Sequence, residues 1–288
     1  MSRPALQKKL LPLTAENYYS RQANFAYMSA SQFKEFETCE AAAMAHLRGD
    51  YEPPQTKALL LGSFVDAWFS GEFNAFVSAH PEIRRQSGKN AGEFLADFQK
   101  AVEACERLER QPLIKALLSG RHQVIKTGRI AGVPFKCKID SLISADKARR
   151  ICEKFPEVKK LIPFGGQIIV DLKYMGSLDS VWNDETQCRI SFAQYWGYDI
   201  QGAIYQYLVR REPPFILVGT TKETFPRDFA IYIPDGDLQN ALADVEARAP
   251  RYQAIKTGRI APTRCGHCPY CRATERITAI SPLQVEYE

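Results

Sequence analysis

The sequence predicts an α/β fold in which one central mixed sheet is flanked by helices. Three observations carry this prediction. Helical periodicity dominates residues 29–118, strict alternation replaces it at residues 122–144, and strands then alternate with helices as far as residue 255. A chain of 288 residues is long enough to bury such a core as one large domain or two small ones.

The first half of the chain is predicted to be helical. Ser29 or Ser31 can cap a helix that ends near Arg48. The next helix, 56–70, is apolar nearly all round in "ALLLGSFVDAWF", which places it at the centre of the fold. Further helix is expected over residues 89–118.

The second half mixes strands and helices. "HQVIKTGRIAGVPFKCKIDSLIS" predicts two strands joined by a Thr-Gly turn, and "QIIVDLKYM" predicts the next strand. "FILVGTTKE" and "DFAIYIP" form a further predicted pair. The expected helices are a basic insertion within residues 144–166, a long helix in "SFAQYWGYDIQGAIYQYLVRRE" and a final helix over residues 235–255.

The overall charge is mildly basic, with a formal net charge of +5. This permits a nucleic-acid partner but does not require one, because binding needs clustered charge. The N-terminal residues lack a signal-peptide pattern, and no apolar stretch approaches the ~20 residues that span a bilayer. We therefore expect a cytoplasmic protein without a membrane partner.

Two strands carry acids that could share a metal ion. Alternation places Asp171 and Lys173 on one side of their strand, and Asp140 lies on an earlier strand. If the strands are neighbours, two carboxylates and an ammonium converge. Carboxylate oxygens suit Mg²⁺, and a lysine can stabilise charge that develops on a phosphate. A salt bridge at the strand end is the simpler interpretation of Asp171 and Lys173 alone.

Further motifs in chain order resemble a nuclease family. They are "MSASQFKEFETCEAA", "LLLGSFVDAWF" with Gly62 and Asp66, "FKCKIDSL", "IIVDLK", and "GYDIQGAIYQYL" with Gln201 and Tyr205. Together they resemble the PD-(D/E)xK superfamily, and within it the RecB-like phage and prophage exonucleases of the RecE, or exodeoxyribonuclease VIII, type. The matches run from about residue 28 to residue 272, so the resemblance covers nearly the whole chain.

The resemblance implies a PD-(D/E)xK core over residues 28–262, preceded by an irregular segment, 1–27. It further implies a Mg²⁺- or Mn²⁺-dependent nuclease that resects duplex DNA ends and passes single strands to an annealing protein. The implied metal ligands are Asp140, Asp171 and Asp66, although the family usually has His at the last position. Lys173 would activate water, and Gln201 and Tyr205 would support the site.

The strand that carries Asp140 also carries two lysines on the same predicted side. Lys136 and Lys138 alternate with Asp140, so we expect both to contact DNA phosphates. By contrast, the aromatic residues Tyr195, Trp196 and Tyr198 are expected to pack rather than to stack on bases.

Three of the eight cysteines crowd into "CGHCPYC" near the C-terminus, as Cys265, Cys268 and Cys271. This spacing indicates a metal site, for which His267 or the distant Cys39 could supply a fourth ligand. The resemblance favours Cys39 and a [4Fe–4S] cluster, with zinc or no metal as alternatives. The cysteine-rich tail, 263–288, is expected to pack on the nuclease domain.

A second functional class remains open from sequence. The chain could be a DNA-binding subunit without catalytic activity, held together by the cysteine-bound metal, within a recombination or replication complex. The retained acids and lysine favour the nuclease. The sequence does not decide whether the protein forms a homo-oligomer.

Overall fold

A five-stranded mixed sheet forms the centre of the computed structural model, which describes residues 11–54, 56–162, 166–184, 186–210 and 212–276. The strands are β1 (Arg121–Ile130), β2 (Val133–Ile143), β3 (Ile168–Met175), β4 (Val181–Asn183), β5 (Cys188–Ile190), β6 (Phe215–Thr221) and β7 (Asp228–Ile233). The sheet order is β1-β2-β3-β6-β7, while β4 and β5 form a separate hairpin. Only the β3–β6 pair is parallel in the large sheet, so the predicted mixed sheet is confirmed.

Helices cover both faces of this sheet. They are α1 (Arg21–Ala26), α2 (Ala30–Thr38), α3 (Glu40–Arg48), α4 (Lys57–Ser70), α5 (Phe73–Ala79), α6 (Ala96–Arg110), α7 (Pro112–Leu117), α8 (Ala145–Lys154), α9 (Pro156–Lys159), α10 (Phe192–Tyr195), α11 (Tyr198–Val209), α12 (Asp235–Lys256) and α13 (Pro269–Ala273), with a 3₁₀ turn at Pro81–Ile83. Within the described part of the chain, no helix is both long and apolar enough to cross a membrane.

The apolar residues of β3 divide between two cores. Ile169 packs in the core that contains α2, α3, α11 and α12, whereas Ile168 and Val170 pack in the core that contains α4, α6, α7 and α8. This division follows from the two-residue period of a strand. A sheet covered on both faces needs apolar residues on both sides of its central strands, which explains the continuous apolar run before Asp171.

The β1–β2 turn lies four residues later than the sequence predicted. Thr127 and Gly128 stay in the ladder, opposite Lys136 and Phe135, and the turn is made by Ala131 and Gly132. Positive φ angles of 45° and 79° at these two residues are typical of a tight primed turn. A Cβ at Gly128 would lie 2.7 Å from Leu208 Cδ2 of α11, so a larger residue there would require this leucine side chain to shift.

Two predicted long helices are each divided. Ser29 caps α2 as expected, but Cys39 is extended (φ −165°, ψ 110°) and separates α2 from α3. In the later helix, Trp196 and Gly197 separate α10 from α11, and Gly197 has a φ of 62°. Helical periodicity continues across such short breaks, so the pattern does not reveal them.

The structure agrees in part with the predicted bounds of the N-terminal segment, the insertion and the cysteine tail. α1 lies inside the segment expected to be irregular, of which residues 1–10 fall outside the described residues. The insertion within residues 144–166 forms α8 and α9, as expected, and leaves β2 and β3 paired; its residues 163–165 are not among those described. The cysteine tail is described as far as residue 276.

Candidate active site

The two predicted metal-binding strands are neighbours, and their ladder ends where the acids begin. The β2–β3 pairing covers three residue pairs, the last being Ser141 with Val170. Asp140 and Asp171 are the next residues on each strand. Asp140 Oδ2 accepts a hydrogen bond of 2.9 Å from the Leu172 backbone N–H, a role that a strand carbonyl would otherwise fill. The strands therefore part at the acids and leave room for a cleft.

Asp171 and Lys173 form an ion pair inside this cleft. Lys173 Nζ lies 2.5 Å from Asp171 Oδ2, and Asp171 is only 1% exposed. Burial lowers the pKa of Lys173, but the charges of Asp171 and Asp140 outweigh burial and raise it above its usual value. Lys173 Nζ also lies 5.0 Å from the centre of the Tyr198 ring. The lysine is thus held as a cation beside the acids.

Helix α11 orients Asp171 through the predicted Gln-x-x-x-Tyr pair. Gln201 Nε2 donates to Asp171 Oδ1 at 2.6 Å and to Tyr205 Oη at 3.1 Å. Tyr205 Oη in turn donates to the Lys138 carbonyl oxygen at 3.2 Å. The two side chains lie one helical turn apart, as the sequence predicted, and link both acid-bearing strands to the helix.

Asp66 reaches the same cleft from α4. Burial raises the pKa of Asp66, and the nearby Asp171 charge raises it further against the opposing effect of Lys138. Its carboxylate accepts hydrogen bonds of 3.2 and 3.4 Å from Gln123 Nε2. Gln123 has a φ of 52° and is absent from the β1–β2 pairs. This local distortion of β1 permits the contact with Asp66.

The acids form an electrostatically strained group. Burial, together with the charges of Asp171 and Asp66, raises the pKa of Asp140 well above its usual range. Such a group is relieved by a proton or by a bound cation. Within the described residues of this site, Gln123 Oε1 is buried without a hydrogen-bond donor, and Asp171 Oδ2 has the Lys173 ammonium as its partner.

These residues fit a divalent cation. All three acids offer oxygen ligands, which Mg²⁺ prefers, and all three line the same cleft. The mutual repulsion of these acids, which with burial raises the pKa of Asp140, would be relieved by a bound cation.

The structure gives the two predicted phosphate-binding lysines different environments. Lys138 is half-buried and lines the cleft, with Nζ 4.6 Å from the centre of the Tyr19 ring. Lys136 is only 1% exposed, and its Nζ donates to the Tyr18 carbonyl oxygen and to Asn24 Oδ1. Alternation places both lysines on one side of β2 but does not show that the N-terminal segment covers Lys136. The expected phosphate contact therefore remains a proposal for Lys138 alone.

The sequence analysis missed several residues of the cleft, which has a volume of about 1120 Å³. Lys34 of α2 donates to the Trp196 carbonyl oxygen at 3.0 Å, and burial together with the Lys173 charge lowers its pKa to about 8. Tyr198 packs against the core, whereas Trp196 is 53% exposed and Tyr195 47%, with their two rings in edge-on contact at 5.0 Å. The expectation that these rings do not stack on bases stays a prediction. Tyr19, 68% exposed, stands at the same cleft. No motif marks these residues, because only the fold brings them together.

The predicted cysteine cluster also assembles, separately from the acids. Cys39, Cys265, Cys268 and Cys271 place all four Sγ atoms within 4.8 Å of one another. His267, the other candidate ligand, instead contacts the Cys265 carbonyl oxygen through Nδ1 at 3.0 Å. The group could bind either zinc or an iron–sulfur cluster through four thiolates.

Comparisons with known proteins agree with this geometry. The family model described as "PDDEXK-like domain of unknown function (DUF3799)" matches residues 29–149 and 163–274. A crystal structure of a Eubacterium rectale protein described as a putative exonuclease is 37% identical in sequence, with a TM-score of 0.80. The match covers 95% of this chain and 97% of that one. No curated protein matches the chain significantly.

Proposed function

Because the chain belongs to the PDDEXK-like family, we propose that it is a Mg²⁺-dependent exonuclease that resects the ends of duplex DNA. The observation that carries the proposal is the complete group of Asp140, Asp171 and Lys173 at the parted ends of β2 and β3. The similarity to a protein described as a putative exonuclease supports the same activity.

Each site residue has a defined part in the proposed reaction. Asp140 and Asp171, with Asp66, would hold Mg²⁺ or Mn²⁺, which when bound neutralises phosphate charge and makes water more acidic. Lys173 supplies a fixed cation for the attacking water or for the charge that develops on the phosphate. Gln201 keeps Asp171 in place through Oδ1, and Tyr205 ties Gln201 to β2. Hydrolysis adds water to phosphorus and breaks one P–O ester bond.

The cleft walls suit a nucleic-acid strand. Lys138 and Lys34 place positive charge beside the acids, and the exposed rings of Tyr19 and Trp196 offer surfaces on which bases can stack. Basic grooves with exposed aromatic rings bind single strands without strong sequence preference. We propose that the cleft receives the strand being degraded, and that the remaining strand passes to a single-strand annealing protein in phage-type recombination.

Incubation of the protein and Mg²⁺ with linear and covalently closed circular duplex DNA tests this function. Linear molecules carry a label at either the 5′ or the 3′ end. We expect degradation of the linear DNA alone, with early release of the label from one end type. Cutting of the closed circle at a similar rate would show an endonuclease. Failure to cut any DNA with Mg²⁺ or Mn²⁺ would favour a DNA-binding subunit without activity.

A further inference from the structure

The four cysteines form a site that the proposed reaction does not use. Cys39 Sγ lies 3.6 Å from Cys271 Sγ, and Cys265 Sγ lies 3.9 Å from Cys271 Sγ. All four sulfurs fall within 4.8 Å of one another, and none of the four forms a disulfide. These distances restrict the kind of metal centre that fits.

A single tetrahedral ion matches the sulfur spacing. With a Zn–S bond of about 2.3 Å, tetrahedral geometry places the sulfurs about 3.8 Å apart. In a [4Fe–4S] cluster each cysteine binds a different iron, and the width of the cluster separates the sulfurs by roughly 6 Å. The observed 3.6 and 3.9 Å agree with the first value, and the 4.8 Å limit on the whole group excludes the second.

Backbone donors around the sulfurs favour thiolates. Cys39 Sγ accepts from the Ala42 N–H at 3.5 Å, Cys265 Sγ from the Cys268 N–H at 3.3 Å, and Cys268 Sγ from the Cys271 N–H at 3.4 Å. Such N–H donors partly neutralise the negative charge that four thiolates bring to one ion. The two C-x-x-C spacings place one of these donors at the N-cap of α13, on Cys268, and another within that helix, on Cys271.

We infer that Cys39, Cys265, Cys268 and Cys271 bind one structural zinc ion, in place of the iron–sulfur cluster that the RecB-like resemblance implies. Four protein ligands complete the zinc coordination shell and leave no position for a substrate, which is typical of structural sites. This inference depends on the sulfur geometry and not on the proposed nuclease activity.

The zinc ion would join two distant parts of the chain. Cys39 lies between α2 and α3, and the other three ligands lie on the C-terminal tail. Neighbouring contacts hold the same two parts together: the Ala41 N–H donates to the Thr263 carbonyl oxygen at 3.0 Å, and the Thr263 N–H donates to Glu40 Oε2 at 2.7 Å. A cross-link that closes so long a loop stabilises the fold most in principle.

Metal analysis of the full-length wild-type protein tests the inference directly. The protein is produced in medium that contains both zinc and iron, purified without oxygen or chelators, and assayed for zinc, iron and acid-labile sulfide. We expect colourless protein with one zinc per chain and no sulfide. Brown protein with several irons and matching sulfide would overturn the inference, as would a single iron or metal-free protein.

Two variants and a substituted metal extend the test. Cys39→Ser should lose the zinc and melt at a lower temperature. The control is Cys188→Ser, which changes an exposed cysteine of β5 outside the cluster and should keep the zinc and the wild-type melting temperature. Wild-type protein loaded with Co²⁺ should show the intense visible absorption of a tetrahedral tetrathiolate site. A Co²⁺ spectrum that is unchanged in Cys39→Ser would exclude Cys39 as a ligand.

Discussion

At the scale of single residues, Lys173 shows how burial and charge together define a catalytic group. Its Nζ lies 2.5 Å from Asp171 Oδ2, and the neighbouring acids raise its pKa although burial opposes this. An ammonium held in this way stays charged and is already oriented before DNA binds. Preorganised charge of this kind stabilises a transition state more than a mobile surface lysine can.

Replacement of Lys173 tests this role. Lys173→Ala should lower the rate of DNA hydrolysis by ~10²-fold or more, the usual effect of losing one preorganised charge contact. Divalent-metal binding, measured by calorimetry, should persist, because the acids remain. Lys89→Ala, which removes an exposed lysine, is the matched control. Near-normal hydrolysis by Lys173→Ala would remove the lysine from the mechanism.

Lys138 and Lys136 should affect DNA binding in different ways. Lys138→Ala should weaken binding and reduce the slope of log K against log salt by about one, as expected for one lost phosphate contact. Lys136→Ala should leave that slope unchanged and lower the melting temperature, because its Nζ holds the N-terminal segment through Tyr18 and Asn24. Equal changes in slope would show that both lysines contact phosphate.

Lys256 should make the stability of the fold depend on pH. Burial lowers its pKa to about 7, although its Nζ donates to the Asn24 and Tyr27 carbonyl oxygens and to Gln32 Oε1. In the unfolded chain the pKa of a lysine is about 10.4. Between pH 7 and this value the unfolded chain therefore binds more protons than the folded protein, so the free energy of unfolding rises with pH. The slope from this group can reach about 1.4 kcal/mol per pH unit.

Chemical denaturation at several pH values measures this effect. The free energy of unfolding of wild type, minus that of Lys256→Met, should increase from pH 7 to pH 9. The same difference for Lys89→Met should stay constant, because Lys89 is exposed. A difference that stays flat or falls with pH for Lys256→Met would mean that the buried ammonium keeps its proton throughout this range.

The sequence predicted some of these residues and not others, for physical reasons. Strand alternation placed Asp171 and Lys173 on one side, and helical spacing placed Gln201 and Tyr205 together; both relations are local. Gln123 could not be found in this way, since its contact with Asp66 depends on a distortion of β1. The burial of Lys136 depends on chain more than a hundred residues away.

At the scale of elements, α4 carries a glycine that packing does not explain. Gly62 lies inside the helix, one turn before Asp66, and a Cβ at this position would meet no atom within 4 Å. Glycine inside a helix costs roughly 0.5–1 kcal/mol relative to alanine. Gly62 also lines the cleft. We therefore interpret the bare backbone as a surface that DNA approaches closely.

Gly62→Ala should separate stability from function. The free energy of unfolding should rise by about 0.5–1 kcal/mol, while KM for DNA increases because the added methyl group lies where the DNA strand binds. Gly236→Ala, in the first turn of α12 and equally free of nearby atoms, should stabilise the fold without changing KM. An unchanged KM in Gly62→Ala would contradict this interpretation.

The breaks between elements show where sequence patterns lose information. The apolar period predicted α4 and α12 closely, because each is a continuous helix that packs through one uninterrupted stretch. The divisions at Cys39 and at Gly197 escaped prediction. Each serves a tertiary contact: Cys39 reaches the cysteine cluster, and Gly197 leaves room for Lys34, whose Cδ would lie 2.6 Å from an added Cβ.

At the scale of the whole molecule, one sheet supports two separate centres. Asp140 and Asp171 lie where β2 and β3 part. Helix α4 brings Asp66 to these two acids, and α11 brings Gln201. The cysteine site joins the N-terminal helices to the C-terminal tail. The fold class and the order of motifs were predictable because both follow from periodicity and from the family resemblance. The identity of the metal at the four cysteines could not be predicted from the sequence, because sequence spacing does not fix the distances between sulfur atoms.

Hydrolysis of end-labelled linear duplex DNA by Asp171→Asn is the most direct test of the proposed active site. The amide keeps the size of the side chain but loses the charge that binds a cation and pairs with Lys173. With saturating Mg²⁺, we expect wild-type protein and Asp146→Asn, which changes an exposed acid of α8, to release the label. Asp171→Asn should release none above background while its melting shows that it is folded. Hydrolysis by folded Asp171→Asn at the wild-type rate would contradict the account, because the reaction would then take place elsewhere on the molecule.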